Sequence, residues 1–390
     1  MFGEINPRAK PKAPFISIEE ALEEIRRGRM LILMDDEERE NEGDLCMAAE
    51  KVTAEAVNFM AKYGRGLICL PMSSERADQL GLNPMVANNQ APLGTAFTIS
   101  ITAKSASGSG VSAHSRAITI MQAVRDETRA TDFTRPGHVY PLRARDGGVL
   151  VRTGQTEGAV DLARLAGLKP AGVICEILKE DGTMARRDDL VQFARTHKLK
   201  IVTVADIIGH RLRHETMVVR IAEARLPTAH GEFRALVYRN RVDLTEHLVL
   251  VMGTVDAGRP ILVRAHREYL PGDVFGYLSR DTRSLLKVAM ERIAAAGEGV
   301  ILYLKREANA IAAELNGNGQ RRAVSTHLNQ PAVDFREYGI GAQILRDVGV
   351  RKMILMSDTP PRLANLTGYG LEIVDHIPLL IDQAAAANGR

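Results

Sequence analysis

Between residues 35 and 44 the chain reads Asp35, Asp36, Glu37, Glu38, Arg39, Glu40, Asn41, Glu42, Gly43, Asp44, which is seven carboxylates in ten residues directly after an apolar run. An arbitrary charge run of this kind is a solvated turn. Three details point elsewhere. Arg39 stands among the acids, as a partner for a substrate phosphate or carboxylate would. Gly43 permits a tight or left-handed turn, and the segment leaves a strand end, where α/β proteins tend to place their sites. Clustered oxygen donors with no neighbouring Cys or His suit a hard cation, Mg²⁺ or Mn²⁺, rather than zinc.

A second segment carries complementary charge. Arg152, Thr153, Gly154, Gln155, Thr156 and Glu157 precede a helical pattern in which Val160, Ala163 and Leu165 are apolar and Gly167 is the stop. The free N–H groups of a helix start, the Thr156 hydroxyl and the Arg152 guanidinium together form a phosphate cradle. Taken singly, Thr156 is equally an N-cap and Arg152 equally a surface residue. His138 alone reads as a structural loop histidine. Glu176 lies in the apolar run 173–178, where a carboxylate is costly unless paired or functional. Burial there raises its proton affinity, which suits a general acid or base near neutral pH. Cys175 reads as a small core residue rather than a nucleophile.

The elements that must position these groups alternate between helix and strand. Ser17 and Glu20 fit a capping box, Ile18, Ala21, Leu22 and Ile25 follow at helical spacing, and Gly28 ends the pattern. Strands are predicted at residues 30–34, 66–71, 173–178 and 200–204. Near residue 214 a charged, His-containing stretch gives way to alternation at Val218, Arg220 and Ala222, and the boundary is placed there. Downstream, a helix over 285–295 leads into a strand at 299–304, and residues 340–345 lead similarly into 352–356. The prediction is a mixed-sheet α/β protein of two domains: a tail at 1–14, one domain at 15–214 and another at 215–390. No internal repeat is evident, and 316–320 reads as a mobile loop.

Composition bounds the function. A length of 390 residues suggests two to three domains at about 150 residues each. There are 51 basic and 48 acidic residues, a net charge of +3, with 8 Tyr, 9 Phe and no Trp. That is neither the charge footprint nor the stacking platform of a nucleic-acid binder. Only Cys46, Cys69 and Cys175 occur, which argues against a disulfide framework and for a reducing compartment. Residues 1–15 lack the apolar core of a signal peptide, and runs such as 30–34 fall far short of the ~20 residues that span a bilayer. The expectation is a cytoplasmic protein with no membrane partner.

The acidic segment resembles the signature of 3,4-dihydroxy-2-butanone 4-phosphate synthase. Further stretches agree in order: Phe97-Thr-Ile-Ser, Gly110-Val-Ser-Ala-His-Ser-Arg-Ala, Arg135-Pro-Gly-His-Val-Tyr-Pro-Leu-Arg, Gly172-Val-Ile-Cys-Glu and Asp181-Gly-Thr-Met-Ala-Arg. The resemblance spans roughly residues 15–214. It implies conversion of D-ribulose 5-phosphate to L-3,4-dihydroxy-2-butanone 4-phosphate and formate in riboflavin biosynthesis, by enolisation, loss of water and a skeletal rearrangement, in a homodimer. It also implies roles: Glu40 and residue 155 on the metal; Arg39, Glu40, Asp44, Arg152, Thr153, Gly154, Gln155, Thr156 and Glu176 on substrate; His138 and Glu176 in proton transfer. One position departs from the family pattern Arg-x-Gly-His-Thr, because Gln155 stands where the family has its second metal ligand, a histidine. A neutral amide oxygen there implies a weaker metal site.

The second half resembles GTP cyclohydrolase II through Leu262-Val-Arg-Ala-His-Arg-Glu, Gly272-Asp-Val-Phe-Gly, Asp334-Phe-Arg-Glu-Tyr-Gly-Ile-Gly-Ala-Gln-Ile-Leu and Gly368-Tyr-Gly-Leu-Glu. That family holds a catalytic zinc through Cys-x10-Cys-x-Cys, and the corresponding positions here are Tyr269, Arg280 and Thr282. None replaces a thiolate, so no zinc and no activated water are expected. Where the family has Gln-Glu-Gly-Arg-Gly the chain has Arg306-Glu307-Ala308-Asn309-Ala310, while Asp334 and Arg336 keep an Asp-x-Arg pair. The implied reading is a synthase with a degenerate cyclohydrolase domain. Its alternatives are a bifunctional enzyme and, if Gln155 disables the metal site, a non-catalytic nucleotide-binding or scaffold protein.

Overall fold

The computed structural model describes residues 14–36, 39–305, 331–358 and 366–379. The chain divides into two compact units that change over between Arg211 and Leu212, three residues before the sequence-derived boundary. No helix among the described residues is long and apolar enough to cross a membrane.

The first unit is built on a seven-stranded mixed sheet. Its strands are β1 (Leu31–Met34), β2 (Gly43–Ala48), β3 (Cys69–Met72), β4 (Ile101–Ala103), β5 (Phe133–Arg143), β6 (Gly172–Glu176) and β7 (Ile201–Thr203), in the order β4-β5-β3-β6-β2-β1-β7. β1, β2 and β3 are buried along their whole length, which is why they read as continuous apolar runs rather than alternating ones. The helix Ile18–Arg26 starts at the Ser17–Glu20 capping box and buries Ile18, Ala21, Leu22 and Ile25. The helix Gln155–Leu165 lies so close to β1 that a Cβ on Gly158 would stand 2.8 Å from Leu33 Cδ2.

Register explains how distant residues come together. Asp44 on β2 pairs with Glu176 on β6. Ile174 on β6 opposes Cys69 on β3, which opposes Tyr140 on β5. Extending that register two residues past the paired positions brings Leu67 and His138 into a row with Glu176 and Asp44, beside the irregularity where β4 pairs with β5 at Ile101/Thr102.

Two predicted strands shift, with consequences for the site. The run 66–71 becomes Cys69–Met72, and the run 173–178 becomes Gly172–Glu176, so Glu176 ends its strand instead of lying inside it. Gly43 also differs from expectation. It opens β2, and the left-handed residue of the preceding turn is Asn41, at φ +54°. Glycine is needed at 43 for packing, since a Cβ there would meet Leu190 Cδ1 at 2.6 Å.

The second unit carries another seven-stranded sheet: β8 (Val218–Thr228), β9 (Gly231–Asn240), β10 (Glu246–Met252), β11 (Pro260–Arg267), β12 (Gly299–Leu304), β13 (Lys352–Met356) and β14 (Glu372–Ile377), in the order β14-β13-β11-β12-β10-β9-β8. The helix Thr282–Ala296 packs on it through Ala289 and Ile293. Asp334 and Arg336 fall on the helix Pro331–Val348. The expectations for 306–310 and 316–320 concern residues outside those described.

Candidate active site

The acidic segment is not a solvated turn. Its hub is Asp35, whose side chain is fully buried and accepts the N–H of Glu42 (2.9 Å), the N–H of Glu40 (3.2 Å) and Nη1 of Arg39 (2.7 Å). One carboxylate thus closes the loop over itself. Arg186, from the helix side, donates to the carbonyls of Glu40 and Asn41. Asp35 and Arg186 are structural members of the site with no assigned role in the sequence reading. The available signal was an aspartate directly after a buried strand with N–H groups to satisfy.

Arg39 joins this loop to the start of the helix Gln155–Leu165. Its Nη2 meets Glu40 Oε1 at 2.7 Å, and its Nη1 donates to Gln155 Oε1 at 3.1 Å. Gly154 is the N-cap, with Gln155, Thr156 and Glu157 buried behind it. A Cβ on Gly154 would lie 2.6 Å from Arg152 Nη1 and 3.0 Å from Arg39 Nη2, so two guanidinium groups converge where the helix presents its free N–H groups. Thr156 is therefore the second helical residue and not the cap. Arg152 is not a loose surface cation. It is held by the buried Glu157 (2.6 Å), the Thr95 hydroxyl (3.0 Å) and the Leu93 carbonyl (3.2 Å). Thr153 lies half-buried between the two arginine-bearing elements.

Asp44 and Glu176 are the register pair at the strand ends. Glu176 Oε2 accepts the N–H of Leu67 at 2.8 Å, and Gly66 leaves room for it, since a Cβ there would come within 2.5 Å of that oxygen. Burial pushes the Glu176 carboxyl up, the hydrogen bonds from its own backbone and from Leu67 oppose the shift, and the Glu40 charge adds to it. Burial drives Asp44 well above the usual carboxylate range, reinforced by the charges of Glu176, Glu40, Asp35 and Glu42. Glu42 is raised by burial and by Glu40, with Arg186 opposing.

A testable consequence concerns stability. A carboxyl whose folded pKa is raised favours the folded state at low pH, and that contribution is lost as pH rises through the folded value. Asp44→Asn should therefore melt a few degrees above the parent at neutral pH in chelator, with the gain vanishing below about pH 4, where both side chains are neutral. Thermal melts across pH check this, and a variant that melts lower at pH 7 overturns it.

His138 stands on β5, exposed, with Nδ1 3.2 Å from the Thr102 hydroxyl, which also accepts the His138 N–H at 3.0 Å. In the row described above it is two strands, about 10 Å, from Glu176. The Cys175 thiol is buried and pushed up to about 12, consistent with a core residue.

The donor set fits a hard dication in part. Among the described residues no three carboxylates or imidazoles converge as a ready-made metal cage, but Glu40, Asp44, Glu42 and Glu176 repel one another, and a cation would relieve that repulsion. Gln155 fits less well than the sequence suggested, because its one acceptor atom already carries a guanidinium hydrogen bond from Arg39, and a cation would have to share that oxygen with a positive charge.

In the second unit the three positions of the zinc pattern do converge, around Gly272 and Asp273. Asp273 accepts from Thr282 Oγ1, the Tyr269 N–H (2.8 Å) and the Tyr303 hydroxyl (2.7 Å), and His266 Nε2 lies 2.9 Å away. The Arg280 guanidinium lies over the Tyr269 ring at 4.3 Å, and its charge acts on His266. Burial works against the Asp273 charge, yet the bonds from Thr282, Tyr269, Tyr303 and His266 hold its carboxyl below the usual range. Burial lowers His266 against the pull of Asp273.

Comparisons with known proteins agree with this division. The family model for 3,4-dihydroxy-2-butanone 4-phosphate synthase matches residues 19–210, and that for GTP cyclohydrolase II matches residues 219–378. A riboflavin biosynthesis protein RibBA from Aquifex aeolicus (strain VF5) is 52% identical over 378 residues, covering 94% of this chain and 93% of the relative. The RibBA of Bacillus mycoides (strain KBAB4) is 46% identical over 373 residues, covering 94% of each chain. Among solved structures, the fold is similar to RibBX, a two-domain 3,4-dihydroxy-2-butanone 4-phosphate synthase from A. baumannii, with TM-score 0.75 and 40% identity over 93% of this chain and 98% of that one. A 3,4-dihydroxy-2-butanone 4-phosphate synthase in complex with two magnesium ions matches with TM-score 0.50 and 41% identity over 52% of this chain and 99% of that one. The chain belongs to the family of riboflavin biosynthesis proteins that join a 3,4-dihydroxy-2-butanone 4-phosphate synthase domain to a GTP cyclohydrolase II domain.

Proposed function

We propose that the first unit converts D-ribulose 5-phosphate to L-3,4-dihydroxy-2-butanone 4-phosphate and formate with Mg²⁺ or Mn²⁺ at the acidic loop, and that the second unit holds no zinc and does not hydrolyse GTP. The observation that carries the reading is the meeting of two guanidinium groups at the Gly154 helix start, next to a loop whose Glu40 reaches one of them and adds its charge to the Asp44–Glu176 pair. A ketose phosphate has the matching polarity, with an anion at one end and exchangeable protons beside a carbonyl at the other.

Arg39, Arg152 and the N–H groups of Gln155, Thr156 and Glu157 hold the phosphate. The Thr156 hydroxyl and Thr153 border it. Glu40, with Asp44 and Glu42 nearby, would hold the metal, which when bound polarises the carbonyl and stabilises enediolate charge. Glu176 and His138 face the sugar from one row of the sheet, and they remove and return protons at the carbons flanking the carbonyl. The raised proton affinity of Glu176 suits that exchange near neutral pH. Asp44, whose proton affinity burial and the neighbouring carboxylates raise, binds a substrate hydroxyl beside them.

Incubation with ribulose 5-phosphate should release formate, lose activity in EDTA and regain it with Mg²⁺ or Mn²⁺. No formate across a titration of both metals overturns the reading. The same preparation should show far less than one zinc per chain and no formate from GTP. One zinc per chain with GTP turnover would restore the bifunctional alternative.

A further inference from the structure

We propose that Gln155 is a positioning residue for Arg39 at the phosphate end of the site and supplies no ligand to the metal. The inference rests on the reading of a phosphate-bearing substrate and departs from the role that the position suggested. Arginine only donates hydrogen bonds, so the amide atom facing Arg39 Nη1 at 3.1 Å is the oxygen. The remaining amide atom, Nε2, is buried without a hydrogen-bond partner and carries donors only, so it offers nothing to a cation. In a side chain that is 5% exposed, a cation could therefore reach only the oxygen, and would have to share it with the Arg39 guanidinium.

What Gln155 does for Arg39 follows from charge. Asp35 and Glu40 already place two carboxylates on the guanidinium, at 2.7 Å each. A third anion would cancel more of the charge that the phosphate needs. A neutral carbonyl fixes Nη1 in place without neutralising it, and leaves Nη2 directed toward Gly154 and the helix start. The clasp joins segments 116 positions apart and places Arg39 at the residue directly after the cap.

The test compares inorganic phosphate binding by calorimetry with Mn²⁺ binding by electron paramagnetic resonance, on the full chain. Gln155→Ala should weaken phosphate about three- to tenfold, as loss of one hydrogen bond to a charged group does, and leave Mn²⁺ affinity within about twofold. Adding Gln155→Ala to Arg39→Met should change phosphate binding no further, because the clasp acts only through Arg39. Kinetically, KM for the sugar phosphate should rise with kcat nearly unchanged. Gln155→Met, close in shape, should repeat the pattern if the alanine variant folds poorly. A tenfold or larger loss of Mn²⁺ affinity with phosphate unchanged, or additive effects of the two substitutions, overturns the inference. Glu40→Gln keeps it separate from the functional reading: Mn²⁺ affinity unaffected by that change sinks the assignment of the acidic loop to the metal, whatever Gln155 does.

Discussion

Glu176→Gln is expected to lower turnover roughly 100- to 10,000-fold, the range for removing a positioned acid–base group, while the protein stays folded and still binds phosphate. The substitution is nearly isosteric. Its amide oxygen can accept the Leu67 N–H that Glu176 Oε2 now accepts at 2.8 Å, and loss of the charge relieves its repulsion with the buried Asp44. Nothing structural therefore competes with the chemical effect. Because Glu176 must be ionised to act as a base, and burial raises its proton affinity, the acid limb of the parent enzyme's pH profile should lie above the ordinary carboxylate range. Formate release under saturating sugar phosphate measures both. A variant within tenfold of the parent would remove Glu176 from the proton-transfer pair. Gly66→Ala offers a second approach to the same group, since its Cβ would press on Glu176 Oε2 at 2.5 Å without touching substrate.

Asp273→Ala is expected to destabilise the second unit by about 3 kcal/mol or more, and added zinc should not restore it. The alanine removes an acceptor that serves the Thr282 hydroxyl, the Tyr269 N–H, the Tyr303 hydroxyl and His266. Each buried donor left unpaired costs on the order of 1–3 kcal/mol, and partial relaxation or water entry keeps the total below the sum. Asp273→Asn keeps one acceptor oxygen and should fall between. Denaturant unfolding, followed in the presence and absence of Zn²⁺, gives the size of the loss. A change under about 1 kcal/mol, or rescue by zinc, would mean that the polar network does not by itself hold this part of the unit. The carboxylate hub joins the start of the helix Thr282–Ala296 to the end of β11 through Thr282 and His266.

The parts of this molecule that were legible from residue order share a physical basis. The Ser17–Glu20 capping box, the strands at 299–304 and 352–356 and the helical pattern after residue 157, whose helix in fact starts earlier at Gln155, depend on local hydrogen bonding and periodicity, which a short window contains. The acidic segment, the two arginines, Glu176 and His138 were legible as candidates because charged residues next to buried strands demand a reason. Their roles came from motif resemblance, and the family comparison covers the chain that carries them.

Less legible were features that depend on approach between distant segments. Asp35 was one acid among seven until its oxygens were seen to close the loop. Arg152 was a free cation until Glu157, Thr95 and Leu93 were seen to hold it. The turn needed its left-handed residue at Asn41 and not at Gly43, because Gly43 is spent on contact with Leu190. Residue order alone determined a two-domain α/β chain, candidate residue types for binding a cation and a phosphate, and the absence of cysteine at 269, 280 and 282, since composition and spacing are properties of the covalent chain. Folding decided that Asp35 is the acid that turns inward, that Gln155 accepts from Arg39, and that Asp273 gathers the donors around positions 269 and 282. The Gln155 contact spans 116 positions, and the Asp35 and Asp273 contacts, though nearer in sequence, depend on which way packing turns each side chain, which no spacing pattern encodes.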